Sequence, residues 1–191
     1  MSVFRSVPDF SAAQAQEIAS RYFGVAGDFH ALPSERDQNY RITCANGDIH
    51  ILKIGMFYLC REAIAGLRQD GGVIVNIASD AGLTGSRDLV AYRASKGALI
   101  QMSRAMALDH GAEGVRVIAL CPGDVDTPML RGEFVQRGVD AVTGLRESAQ
   151  GVPLNRVCSA DEVADLVLYA ASDSARFMTG YPLVIDGGSR A

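Results

Sequence analysis

Tyr92 and Lys96 stand four residues apart in the segment "AYRASKGALIQMSRAMALDHG", and Ser79 closes the apolar run "VIVNIAS" thirteen residues before the tyrosine. Positions i and i+4 share one face of a helix. A phenol titrates near about 10 and is a poor base at neutral pH. An ammonium one turn away favours the phenolate. A tyrosine so placed can pass a proton to or from a substrate oxygen, and a hydroxyl at a strand end can hold that oxygen by a hydrogen bond. The three residues handle a proton and no hydride, so redox chemistry at this site calls for a nicotinamide cofactor. Each residue alone has an ordinary reading too: a Tyr–Lys pair on a solvated helix face, and a serine that only turns the chain.

The elements that must position these residues can be read from pattern. "VIVNIAS" and "VRVIALCPG" are continuous apolar runs rich in β-branched residues, the mark of strands buried on both faces. "MFYLCREAIAGLR" has helical period and is stopped by "DGG"; the segment bearing Tyr92 and Lys96 is a long helix closed by Gly111. A glycine-bearing stretch runs from Asp124 to Val152. "SADEVADLVLYAAS" then pairs Ser159 with Glu162 as a capping box and puts Val163, Leu166, Val167 and Ala170 on one face. "YPLVIDGG" is the last strand. Strand, helix, strand, helix, strand with apolar strands predicts a parallel sheet near 73–78, 115–121 and 182–186, flanked by helices. Ligands of such sheets bind beyond the carboxyl ends of the strands, where Ser79, Pro122 and Gly123 lie.

The first 54 residues follow another grammar. Ser11 and Gln14 form a capping box for a helix over 12–22, with Gly24 as its stop. The short alternating pieces "FHALPS", "NYRITCA" and "DIHILKI" follow, and "ANGD" between the last two is a hairpin signal. A helix and a small antiparallel sheet are expected here. "HILKIGMFYL" joins the two grammars, with the seam near Ile54.

Composition narrows the function classes. The chain has 191 residues, 48% hydrophobic, and a net charge of −4 with acids and bases interleaved, so neither a nucleic-acid nor a membrane surface is expected. No apolar run is long enough for a membrane span, and "MSVFRSVPDF" has no signal-peptide core. Cys44, Cys60, Cys121 and Cys158 are far apart and read as small buried residues of a reducing cytoplasm. His30, His50 and His110 make no metal pattern.

Taken together, the strand-end serine, "YRASK", the strand running into "CPGDVDTPM" and the late "MTGYPLVIDGG" resemble the carboxyl-terminal half or more of a short-chain dehydrogenase/reductase of the classical type, over residues 55–190. The resemblance implies an α/β fold, here a partial Rossmann-like parallel sheet flanked by helices. It implies NAD(P)-dependent hydride transfer between nicotinamide and a secondary alcohol or ketone. Ser79 would steady the substrate oxygen, Tyr92 would be the acid/base, and Lys96 would tune it and hold the nicotinamide ribose. Pro122, Gly123, Val125 and Thr127 would face the nicotinamide and its carboxamide. The stretch from Pro128 to about Val152 would be the mobile substrate-binding region. The helices at about 56–68 and 91–110 would pack against a second subunit in a dimer or tetramer.

The chain departs from that family in several places. It contains no G-x-G, so the T-G-x-x-x-G-x-G loop that holds the pyrophosphate has no match, and the N-N-A-G segment is missing as well. The residue that selects NAD or NADP would lie on an absent second strand. Leu52 stands where the family has a catalytic asparagine, and Ile118 where it has another asparagine. In place of the missing half, "ALPSERDQNYRITCANGDIHILKI" resembles the start of an aminoglycoside- or choline-kinase-like phosphotransferase, with Lys53 matching the nucleotide-phosphate lysine. No H-x-D-x-x-x-x-N catalytic loop follows, so Lys53 reads better as a solvated strand lysine and kinase chemistry is not expected. Two readings stand: an oxidoreductase using Ser79, Tyr92 and Lys96, or a catalytically silent fusion, a self-associating module without the phosphate loop.

Overall fold

The computed structural model describes residues 11–23, 26–32, 39–43, 49–85 and 89–191. The chain divides into two compact units, Met1–Gly66 and Leu67–Ala191.

In the first unit, helix α1 (Ala12–Phe23) begins with the expected reciprocal cap. The Gln14 amide donates to Ser11 Oγ at 3.3 Å, and the Ser11 amide donates to Gln14 Oε1 at 2.9 Å. Strands β1 (Asp28–Leu32), β2 (Asn39–Thr43) and β3 (Ile49–Lys53) form an antiparallel sheet in the order β1-β2-β3, with Tyr40 opposite Leu52. The stop at Gly24 and the "ANGD" turn lie outside the described residues. Helix α2 (Ile54–Leu67) follows β3 without an intervening residue and buries Cys60 and Ile64, four residues apart on one face. The sequence seam near Ile54 is therefore a direct strand-to-helix junction, and the compact units divide twelve residues later, after Gly66.

The second unit is built on the expected parallel sheet. Strands β4 (Gly72–Ile77), β5 (Val115–Pro122) and β6 (Pro182–Ile185) lie in sequence order, Gly72 opposite Val115 and Ala119 opposite Pro182. Between β4 and β5 runs helix α3 (Val90–His110); between β5 and β6 come α4 (Pro128–Gln136), α5 (Ala141–Ala149) and α6 (Ala160–Ala171).

Side-chain parity shows how the sheet is covered. Asn76 on β4 donates to Ser103 of α3 at 2.9 Å, so its register partner Ala119 shares the α3 face. Arg116, three residues earlier on β5, points to the opposite face. There its guanidinium donates at 2.9 Å to Ala170 O in the last turn of α6 and at 3.1 Å to Ala175 O in the 3-10 turn (Asp173–Ala175) that follows. Helices α3 and α6 thus cover opposite faces of β5. The α6 capping box between Ser159 and Glu162 is present as expected.

One expectation needs correction. "VIVNIAS" was expected to be buried on both faces, but Ile77 is 43% exposed and Val73, Ile74 and Val75 are only half-buried. Among the described residues β4 pairs along one edge only, whereas β5 has a strand on each side. Gly111 closes α3 as expected, following its last residue as the C-cap, but not in the left-handed conformation. Its φ is −60°, the chain continues through a 3-10 turn (Gly111–Glu113), and Gly114 takes the positive φ of 76°. That glycine turns the chain into β5, and its carbonyl accepts the Gly72 amide at 3.1 Å, setting the strand register.

Candidate active site

Ser79 follows β4 in an extended conformation and caps a 3-10 turn (Asp80–Gly82). Its hydroxyl accepts from the Ala81 amide at 3.1 Å and donates to Asp80 Oδ1 at 3.2 Å. The turn is pressed onto α3 through a glycine. A Cβ at Gly82 would stand 2.7 Å from the Lys96 carbonyl carbon and 2.8 Å from the Gly97 amide nitrogen. No side chain fits there, so Gly82 lets the Ser79 turn touch the helix turn that carries Lys96.

Tyr92 and Lys96 share one face of α3, with the ammonium 5.7 Å from the centroid of the phenol ring. Lys96 Nζ also donates to the Ile77 carbonyl at 3.1 Å, two residues before Ser79. Tyr92 is 42% exposed. Among the described residues no hydrogen bond joins Ser79 directly to Tyr92; the link between them runs through the end of β4, Lys96 and the Gly82 contact.

The four residues expected after β5 are arranged as a short scaffold. Pro122 ends the strand, and the Gly123 amide donates to Ile185 O of β6 at 2.9 Å. A Cβ at Gly123 would lie 3.1 Å from the Asp186 Cα, so this glycine permits the close approach of the two strand ends. Val125 makes an isolated parallel bridge to Cys158. Thr127 caps α4, its hydroxyl accepting from the Leu130 amide at 3.4 Å, with Pro128 at the first helical position.

A cleft of about 260 Å³ opens at the strand ends, its lining including Asp80, Asp124, Ser148, Val152, Cys158 and Asp186. Helix α5 contributes Ser148, within the stretch expected to bind substrate. Ser79, Tyr92 and Lys96 are not in the lining; Asp80 is the neighbour that connects it to Ser79.

Sequence reasoning passed over several residues that build this site. Gly82 and Gly97 are invisible to periodicity, although a glycine three residues past a strand-end serine marks a tight approach. Arg93 lies within the quoted "YRASK", yet its role appears only in three dimensions: Nη1 donates to Thr84 O at 2.7 Å, Thr84 Oγ1 at 3.0 Å and Ala81 O at 3.2 Å. Lys53 lies on β3, and its backbone pairs opposite Asn39. Among the described residues no cluster of three His, Cys, Asp or Glu side chains could hold a metal ion, and no helix is long and apolar enough to cross a membrane.

Comparison with known proteins places the chain. The family model described as enoyl-(acyl carrier protein) reductase matches residues 45–190, starting somewhat before the seam near Ile54. An uncharacterized oxidoreductase of Thermotoga maritima is 38% identical over 72% of this chain and 55% of its own length. The meso-2,3-butanediol dehydrogenase of Serratia marcescens is 37% identical over 72% of this chain and 52% of its own. Among solved structures, 4-hydroxyisoleucine dehydrogenase complexed with NADH superposes with a TM-score of 0.64 at 32% identity, covering 72% of this chain and 55% of that one. The chain spans about half the length of the curated relatives it matches. With its parallel sheet, the strand-end serine and the family match over most of its length, the chain belongs to the short-chain dehydrogenase/reductase family.

Proposed function

We propose that the chain carries the chemical portion of an NAD(P)-dependent oxidoreductase that interconverts a secondary alcohol and a ketone. The observation that supports this most is the position of Lys96. Its ammonium sits 5.7 Å from the Tyr92 ring and is anchored on the carbonyl of Ile77 at the end of β4. Tyr92 exchanges the proton of the substrate oxygen, Lys96 places a positive charge beside the Tyr92 ring, and Ser79 holds the same oxygen. A nicotinamide bound there would donate the hydride in ketone reduction and accept it in alcohol oxidation. Lys96 Nζ reaches the end of β4, and Pro122, Gly123, Val125 and Thr127 lie at and beyond the end of the adjacent β5, the side on which ligands of parallel sheets bind, which suits the nicotinamide end of the cofactor. The names of relatives, which include a butanediol and a hydroxycyclohexanecarboxylate dehydrogenase, support a small hydroxyl-bearing substrate.

A second reading applies to the 191-residue chain acting by itself. With no G-x-G in the sequence, the pyrophosphate has no glycine-loop amides to bind. Charge-assisted hydrogen bonds of this kind contribute roughly 1.5–3 kcal/mol each. Two or three fewer weaken binding by several powers of ten, at about 1.4 kcal/mol per tenfold. The expected outcome is weak dinucleotide binding and negligible turnover by the isolated chain. The experiment is a nicotinamide-fluorescence titration with NADH and NADPH, run beside a dehydrogenase assay on a panel of secondary alcohols with parent and Tyr92→Phe chains. Saturable binding at micromolar concentration would overturn the weak-binding reading. Turnover abolished in Tyr92→Phe would overturn the silence of the isolated chain and support the tyrosine; turnover that survives the substitution would break the assignment of Tyr92.

A further inference from the structure

Ser79 hangs from β4, and the turn that holds it is tied to a part of the chain more than a hundred residues away. Arg190, in the segment after β6, donates through Nη2 to the Asp80 carbonyl and to Thr84 Oγ1, the latter at 2.7 Å. Its Nε stands 3.3 Å from Asp80 Oδ2 and 3.9 Å from Asp186 Oδ2. The cluster is largely shielded, with side-chain exposures of 18% for Arg190, 24% for Asp80 and 10% for Asp186. Charged groups removed from water in this way hold their geometry only when paired.

Asp80 is the link to the chemistry. Its Oδ1 accepts the Ser79 hydroxyl proton while its Oδ2 faces Arg190. Asp186 is fixed in turn, accepting from the Gly188 amide at 2.9 Å and from the Ser189 hydroxyl at 3.1 Å, and it packs on Gly123 at the end of β5. The Thr84 hydroxyl receives both Arg190 and Arg93, so the turn is gripped from α3 and from the end of β6 together.

We propose that Arg190 is a positioning residue: it fixes the Ser79–Thr84 turn, and with it Ser79 Oγ, against the ends of β5 and β6, and it holds Asp80 as the acceptor that the Ser79 proton leaves when the hydroxyl turns to a substrate oxygen. This rests on the reading of Ser79 as the hydroxyl that holds the substrate oxygen, but its structural half can be tested without any turnover.

The test is amide hydrogen exchange on the full chain. In Arg190→Gln, exchange at Ala81 and Gly82, whose amides are bonded to Ser79 Oγ and Ser79 O, is expected to rise at least tenfold while the β5 amides keep parent rates. Arg190→Lys, which keeps a charge for Asp80, is expected to restore part of that protection. Parent-like exchange at Ala81 and Gly82 in Arg190→Gln overturns the proposal. Equal acceleration along β5 does so as well, since Arg190 would then be a general stabiliser. If Arg190→Gln does not fold, Thr84→Val decides: faster exchange confined to the turn supports the grip, and unchanged exchange removes it. In an assay with measurable turnover, Arg190→Gln and Ser79→Ala are both expected to lower kcat at unchanged cofactor KM. A fall caused by Arg190→Gln but not by Ser79→Ala would separate a failed reading of Ser79 from a failed role for Arg190.

Discussion

β5 and β4 share composition, direction and register, yet they are different kinds of support. β5 is buried at seven of its eight positions, the exception being the half-buried Arg116 that reaches out to cap α6. β4 leaves Ile77 exposed, and among the described residues it has a strand on one side only. The two strands carry the two parts of the site. The Pro122–Thr127 segment leaves a strand held on every side, and its local bonds are modest. Ser79 leaves the less protected strand, and there the extra ties accumulate: the Gly82 contact, the Lys96 bond to Ile77 and the paired arginines on Thr84. On the proposed reading of Ser79, a hydroxyl that holds a substrate oxygen in place gains from those ties when its strand does not supply the rigidity.

The comparison predicts unequal costs. Leu120→Ala, in the centre of β5, is expected to cost about 2–5 kcal/mol, whereas Ile77→Ala on β4 is expected to cost about 1 kcal/mol. Denaturant unfolding of both variants measures this, and similar losses would erase the distinction between the strands. A smaller effect sharpens how β4 is held from within. Ser103 is buried, accepts from Asn76 and donates back to Leu99 O at 2.8 Å. Ser103→Ala is expected to cost about 1 kcal/mol and to raise exchange at β4 amides more than at β5 amides; the reverse ordering would put the weaker strand elsewhere. The smallest effect concerns the α6 face. The Arg156 guanidinium beside Glu162, aided by the Ser159 amide, lowers the Glu162 carboxyl from 4.5 to about 2. A depressed carboxyl stabilises the fold fully above its ordinary value, and that contribution fades as pH falls from about 4.5 toward 2. The parent is therefore expected to lose more stability than Arg156→Ala over that interval in acid titrations of helix content. The difference should be small, because the pair is exposed.

The parallel sheet and the caps at Ser11 and Ser159 were legible because each rests on short-range pattern: apolar runs, helical period and a polar residue three before its partner. The Tyr92–Lys96 spacing was legible for the same reason. The exposure of Ile77 was not, since a run of apolar residues says that a strand is favourable and not how many neighbours it has. Gly111 and Gly114 show the same limit, two glycines three apart of which only the second takes the left-handed turn. Arg190 could not be found from sequence at all, because its partners Asp80 and Thr84 lie beyond any local window.

Cys121 gives the central strand a chemical signature. It lies fully buried in β5, and burial pushes its thiol up to about 11. At neutral pH only on the order of one thiol in ten thousand is then a thiolate, the form that reacts with oxidants and alkylating agents. Its sulfur becomes reactive when the sheet around it parts. Where reagent is concentrated enough for reaction to outpace reclosing, the rate at which a thiol reagent consumes Cys121 is therefore a clock for the opening of β5, set by the protein's own breathing.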